Sequence, residues 1–234
     1  MKTIRMVFTY ISWLLVLHTH AWADTSRAST SQVTGPANPF LEILAETVWV
    51  NVKNQVALTK VLQVLRNPAD SAMLTGFNFS LSAKDTLVDF GISRSSDSII
   101  VGATRSPQPA AVPAATTQTP DSLSVDSQTS LVRLAPQETV SVLLVYQTLP
   151  DSRGNRFRYV FPLKENLPAK GAINSFAFYA NIEESNRIME VKTEGYPVVV
   201  RGNGPKRRAY FWQNNFRPKV DIGFSYRFLP KKTE

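Results

Sequence analysis

Near the end of the chain Val220, Ile222, Phe224 and Tyr226 alternate with Asp221, Gly223 and Ser225. Side chains that change character at every second residue suit a strand with one dry face and one wet face, and no helix has that period. The pattern recurs along the chain. Val48, Val50 and Val52 share one face, with Trp49 on the other. Phe77, Phe79 and Leu81 alternate with Asn78 and Ser80. Val140, Val142, Leu144 and Tyr146 form a further run, as do Phe157, Tyr159 and Phe161. Turn signals separate these runs: Lys53-Asn54-Gln55, Ala135-Pro136-Gln137-Glu138 and Arg153-Gly154-Asn155. In Asn67-Pro68-Ala69-Asp70, Pro68 presets a type I turn and Asn67 can bond the backbone ahead of it. No long amphipathic helix interrupts the series. The expectation is an all-β chain: a single β-sandwich or distorted barrel of short antiparallel strands. The phase of the pattern shifts at Thr59-Lys60, which predicts a bulge there or a strand passing between sheets. Leu87 and Phe90 are expected core residues.

Composition divides the 234 residues. Lys2 and Arg5 precede a short apolar run, and Ala21 and Ala23 stand at minus three and minus one before Asp24. Residues 1–23 therefore read as a cleaved signal peptide, too short in its apolar part to span a bilayer. Residues 24–39 are small and polar and read as a flexible lead. A β domain is expected over 40–229, interrupted by a disordered insertion rich in Pro, Ala and Thr at 103–130, with a basic tail at 230–234. The two halves on either side of the insertion each hold too few strands for a core of their own, so they are expected to pack together.

Charge and chemistry narrow the function. The net charge of +8 is concentrated in 201–234, which carry +7, while residues 24–200 carry −1. There is no cysteine, and both histidines, His18 and His20, lie in the leader. The usual zinc ligands, nucleophilic thiol and neutral-pH base are thus missing from the exported chain. Glu183 and Glu184 are adjacent, so a strand would point them to opposite faces, and they read as solvated charges. No catalytic, metal or cofactor-binding residue is expected. The one feature that suggests a site is Lys206, Arg207 and Arg208 in a glycine-rich hairpin, with Arg217 and Lys219 nearby in sequence and Tyr210, Phe211 and Trp212 directly following. That mixture suits an anionic partner such as lipid or lipopolysaccharide. Its bland alternative is a hairpin tip kept soluble by charge.

Several landmarks occur in an order that resembles the vault protein inter-alpha-trypsin (VIT) domain family. Asn67 and Pro68 followed by Phe79 are similar to its Asn-Pro turn and aromatic strand, with Ser80 where the family has proline. Pro136, Glu138, Val142 and Tyr146 are similar to its second landmark, with Gln137 where glycine is usual. Pro197 and Asp221 match two later phrases. The family's helical stretch and its following von Willebrand type A domain have no counterpart. The resemblance implies an interaction module without catalytic residues, in which the Asn-Pro turn is an architectural corner.

The expected function is an exported, non-catalytic interaction or scaffold module of the cell envelope, periplasmic or secreted. Its partner is expected to be an envelope protein or an anionic surface polymer, with no nucleic acid and no membrane span after cleavage. Two alternatives stand beside it. Residues 131–161 are similar to the subunit-capping strand of periplasmic pilus chaperones, which bind by strand addition. A carboxylate-dependent envelope hydrolase would instead need two carboxylates facing each other across a cleft.

Overall fold

The computed structural model describes residues 32–34, 41–82, 84–94, 126–149, 151–153, 155–163 and 172–229. The expected signal peptide, most of the expected lead, the expected insertion up to residue 125 and the expected basic tail lie outside them. Among the described residues every regular element is a strand. In chain order these are β1 Gln32–Thr34, β2 Glu42–Lys53, β3 Val56–Arg66, β4 Met73–Leu81, β5 Asp85–Arg94, β6 Asp126–Leu134 and β7 Thr139–Thr148. They continue with β8 Asp151–Arg153, β9 Arg156–Phe161, β10 Ile173–Glu183, β11 Ile188–Glu194, β12 Val199–Arg201, β13 Lys206–Phe216 and β14 Ile222–Phe228.

Three sheets result. The largest has seven strands in the order β12-β13-β10-β2-β3-β7-β5; the others are β11-β14-β9-β8 and β1-β4-β6. None closes on itself, so the architecture is a sandwich of open sheets and not a barrel. The large sheet takes β2, β3 and β5 from before the Pro/Ala/Thr-rich segment and β7, β10, β12 and β13 from after it. Its pairs are antiparallel except one: β2 and β10 run parallel, from Ser175 opposite Ala45 to Glu183 opposite Lys53. A parallel pair cannot be joined by a tight turn. Here the crossover is long, and it contains the whole stretch from β3 to β9.

Local chemistry explains the corners. Asn54 and Gln55 form a two-residue hairpin loop with φ of 48° and 66°. Positive φ at both positions is the turn whose twist matches the flanking strands. At the Asn67-Pro68 corner the side chain of Asn67 is wholly buried. Its Oδ1 accepts from the Ala69 N–H at 3.0 Å, while its Nδ2 donates to the carbonyls of Ser71 and Ala135, each at 2.9 Å. The corner is thereby tied to the β6–β7 hairpin. Gln137 adopts φ 59° there and donates Nε2 to the Pro68 carbonyl at 2.8 Å. Glycine would take that backbone more easily but could not make this bond.

Three expectations change. No bulge occurs at Thr59-Lys60: β3 pairs without interruption from Ala57 to Arg66 against β7, and Thr59 faces inward. The core tolerates its hydroxyl because it shares a hydrogen bond of 2.8 Å with the Tyr159 hydroxyl on the facing sheet. The apolar pattern therefore breaks while the geometry does not. Secondly, strand structure enters the polar segments, since the β4 edge recruits backbone from both. Residues 32–34 of the lead pair with it, and so does β6, which begins at Asp126 inside the predicted insertion. Finally, Val220 is exposed and precedes β14, whereas Asp221 turns inward enough for its Oδ1 to accept from the Leu163 N–H at 3.0 Å.

The core lies between the inner face of the large sheet and the β11-β14-β9-β8 sheet. Val48, Val50, Val61, Leu65, Leu144, Phe176 and Phe178 meet Phe157, Phe161, Ile222 and Phe224 within one continuous cluster. Phe157 stacks on Tyr226 with ring centroids 4.7 Å apart, and Tyr159 on Phe224 at 5.5 Å. Leu87 and Phe90 pack against this cluster as partly buried residues.

Glu46 is the costly member of the interior. It is fully buried; its Oε2 accepts from Gln63 Nε2 at 3.0 Å, and its Oε1 has no partner. Burial raises its carboxyl from 4.5 to about 7, against the lesser, opposing pull of the Gln63 hydrogen bond. A folded-state value above the unfolded one means that the protonated form favours the fold. That contribution is complete below pH 4.5 and is lost as pH rises to about 7. At one pH unit per 1.36 kcal/mol the loss is about 3 kcal/mol. Glu46→Gln is expected to flatten the fall in melting temperature across this window and to melt several degrees higher than wild type at pH 8. Thermal unfolding followed by circular dichroism at a series of pH values tests this. A second expectation concerns the shared sheet: a protease site inserted between residues 110 and 115, once cut, should leave two fragments that co-elute in gel filtration and separate only in denaturant.

Candidate functional site

From β12 to β3 the outer face of the large sheet carries exposed side chains, whereas Leu143 of β7 and Ser93 of β5 on the same face are buried, and the strand registers arrange the side chains in rows across the strands. One row reads Val199, Tyr210, Tyr179, Trp49 and Lys60, from β12 to β3. Beside it run Arg201, Arg208, Asn181, Asn51 and Leu58. On its other side Trp212 of β13 begins a row through Ala177, Thr47 and Leu62. Tyr179 is 41 % exposed and Trp212 66 %, large values for aromatic rings on a sheet.

Cations sit at both ends of the aromatic row. Lys60 Nζ lies 5.5 Å from the centre of the Trp49 ring, and the Arg201 guanidinium carbon 5.5 Å from that of Tyr210. Both are within the reach of a cation–π contact, which holds the cation without neutralising it. Between the rows Asn181 Nδ2 donates to Asn51 Oδ1 at 3.1 Å. None of these three rows contains a carboxylate along β12, β13, β10, β2 and β3. Glu183, one step further along β10, is paired with Lys206 at 3.2 Å. This five-strand part of the face is therefore positive, with apolar rings at its centre, while the first row runs on through Val145 of β7 to Asp89 of β5.

The predicted basic residues separate on this frame. Lys206 and Arg208 belong to the outer face. Arg207, between them, has inward parity and acts as a clamp: its Nη2 donates to the Ile188 carbonyl at 2.8 Å and its Nη1 to those of Gly204 at 3.0 Å and Lys206 at 2.9 Å. Arg217 and Lys219 are exposed beyond the other end of β13. At ~3.3 Å per residue that strand holds them more than 30 Å from Lys206. The five do not form one patch. Trp49, Lys60, Tyr179 and Arg201 carry no site signal in the sequence, because the neighbours that give them meaning come from distant parts of the chain. Trp49 did read as lying opposite the valine face.

The buried polar groups serve the fold. Glu184 is buried, not solvated as its neighbour Glu183 is; its Oε1 accepts from the Gln55 N–H at 3.1 Å and from the Tyr226 hydroxyl. Burial pushes the Tyr226 phenol far up, and Glu184 adds to this. Burial likewise raises Tyr146 and Tyr159, so all three stay protonated near neutral pH. Among the described residues no three His, Cys, Asp or Glu side chains converge as a metal site would require.

No family model matches the chain, and no curated protein matches it. Solved structures do. A Legionella pneumophila protein described as a "putative nutrient binding protein" superposes with a TM-score of 0.57 at 11 % identity, over 84 % of this chain and 71 % of that one. An M1 zinc metallopeptidase of Deinococcus radiodurans gives a TM-score of 0.43 at 10 % identity, over 80 % of this chain and 42 % of that one. The first likeness shows a shared β architecture.

Two adjacent arginines should respond differently to truncation. Arg207→Ala removes a donor from three backbone carbonyls and is expected to cost about 1–3 kcal/mol in urea unfolding. Arg208→Ala, on the open face, should stay within about 0.5 kcal/mol of wild type.

Proposed function

We propose that this chain is an exported, non-catalytic binding module of the cell envelope that docks an anionic surface partner on the outer face of its seven-stranded sheet. The observation that carries the reading is the row Tyr210, Tyr179, Trp49 and Lys60, with Arg201 beside Tyr210; from β12 to β3 neither it nor the rows beside it hold a carboxylate, and the first, Asp89, comes two strands beyond Lys60 on β5. A sheet face that lacked a partner would usually carry charges of both signs and few rings. Between β12 and β3 this one has exposed rings beside cations unpaired among the described residues, and its nearest carboxylate, Glu183, is paired with Lys206. The role agrees with what the VIT-like landmarks imply, an interaction module, and the Asn67 corner supports that resemblance as a structural device. The basic cluster read from the sequence contributes Lys206 and Arg208 to the surface, whereas Arg207 supports the loop beneath it.

Attraction by exposed cations weakens as salt shortens the screening length to about 8 Å near physiological ionic strength. The protein is expected to be retained on an immobilised anionic polymer at about 50 mM salt and released well below 500 mM. The variant Lys60→Ser, Arg201→Ser, Arg208→Ser should elute much earlier with an unchanged melting temperature. Retention equal to wild type would remove this face from the site.

A further inference from the structure

The spacing of the face's groups restricts the partner further. Lys60 and Arg201 are the two cations tied to rings, and they sit on strands four steps apart, β3 and β12. At about 4.8 Å per step the posts are roughly 19 Å apart. A small anion would need cations that converge, and these are held apart by three aromatic residues. A ligand that meets both posts and the rings is a chain with anionic groups spaced along it and apolar faces between them.

The contacts also distinguish among chains. Bases stack on uncovered ring faces. Lys60 already lies over the Trp49 ring, and Arg201 over that of Tyr210. Tyr179, between them and 41 % exposed, is the row's most accessible ring. The adjacent row offers the Asn181 and Asn51 side-chain amides, joined by one hydrogen bond and so with donors and acceptors to spare. Trp212 of the next row is open as well, at 66 %, so the tyrosine hydroxyls and paired amides, more than the rings, favour a ligand rich in hydroxyls whose units each have one apolar side. Pyranose rings have that character.

We infer that the row takes an acidic polysaccharide running across the strands, with a sugar ring against Tyr179, hydroxyls at Asn51 and Asn181, and carboxylate or other acidic groups near Arg201 and Arg208 at one end and Lys60 at the other. The inference rests on the anionic-partner reading above and adds the sugar ring to it.

Calorimetric titration of the full exported chain at low salt tests the addition, with polygalacturonate, polyphosphate, dextran and single-stranded DNA as probes. Polygalacturonate is expected to bind, dextran not to bind, and polyphosphate to bind more weakly than polygalacturonate. Tyr179→Ala should weaken polygalacturonate about tenfold and leave polyphosphate within twofold, with an unchanged melting temperature. Asn181→Ala should also weaken only the polysaccharide, so a loss does not depend on one variant. Polyphosphate binding as tightly as polygalacturonate, with both variants silent, would overturn the sugar inference and leave the anionic-partner reading standing. Tighter binding of single-stranded DNA would replace the polysaccharide by nucleic acid. Absence of binding by every polyanion would overturn both readings.

Discussion

The parallel pairing of β2 with β10 is the contact on which everything else depends. It joins segments about 130 residues apart, and it is the seam between the halves of the seven-stranded sheet. Hydrogen bonds at one end hold its register. The Asn54 N–H donates to the Glu183 carbonyl at 3.1 Å, the Gln55 N–H to Glu184, and the Ser185 N–H to Asn54 Oδ1 at 3.1 Å. The positive-φ hairpin loop thus serves a second purpose: it aims its backbone and side-chain groups at the end of β10. A slip of one residue would turn Val48, Val50 and Phe178 towards water and Trp49 and Tyr179 into the core. Core and candidate site are therefore set by the same register.

Polar residues inside the sandwich fix how the two main sheets face one another. Thr59 with Tyr159, and Glu184 with Tyr226, each join the large sheet or its border to the β11-β14-β9-β8 sheet by a hydrogen bond that apolar packing could not direct. Packing alone tolerates small rotations of one sheet on the other, whereas a buried hydroxyl that loses its partner costs about 1–3 kcal/mol. Glu46 is different. It bonds within its own sheet, to Gln63, and leaves an oxygen unpartnered, so it costs stability when ionised without orienting the sheets.

With the inner face filled, the exposed outer rings from β12 to β3 have no role in the core, and their composition needs another cause. These aromatic residues do not converge on a pocket; they form a shallow, broad surface with cations resting on the outer rings. A surface of this shape suits an extended ligand better than a small one, and each of its side chains can be removed at little cost to the fold. The clamp at Arg207 shows the contrast within three consecutive residues: two arginines and a lysine look alike in sequence, and strand parity assigns one to the scaffold and two to the surface.

Much of the fold was legible in the sequence, because its signals are local. Period-two alternation names strands and their dry sides, and Asn67-Pro68 names a corner through a side chain bonding its own backbone. Trp49 was on the wet side from the start. The hydroxyl of Thr59 breaks the apolar pattern, and only Tyr159, 100 residues away, explains why it is tolerated inside. The site was illegible for the same reason. A strand's sequence states which face is buried but not which strand lies beside it. The row of Tyr210, Tyr179, Trp49 and Lys60 exists only after β13, β10, β2 and β3 have been placed in order and in register. Tertiary structure decided that order, because the burial of the inner faces selects one pairing among many that the backbone alone would accept.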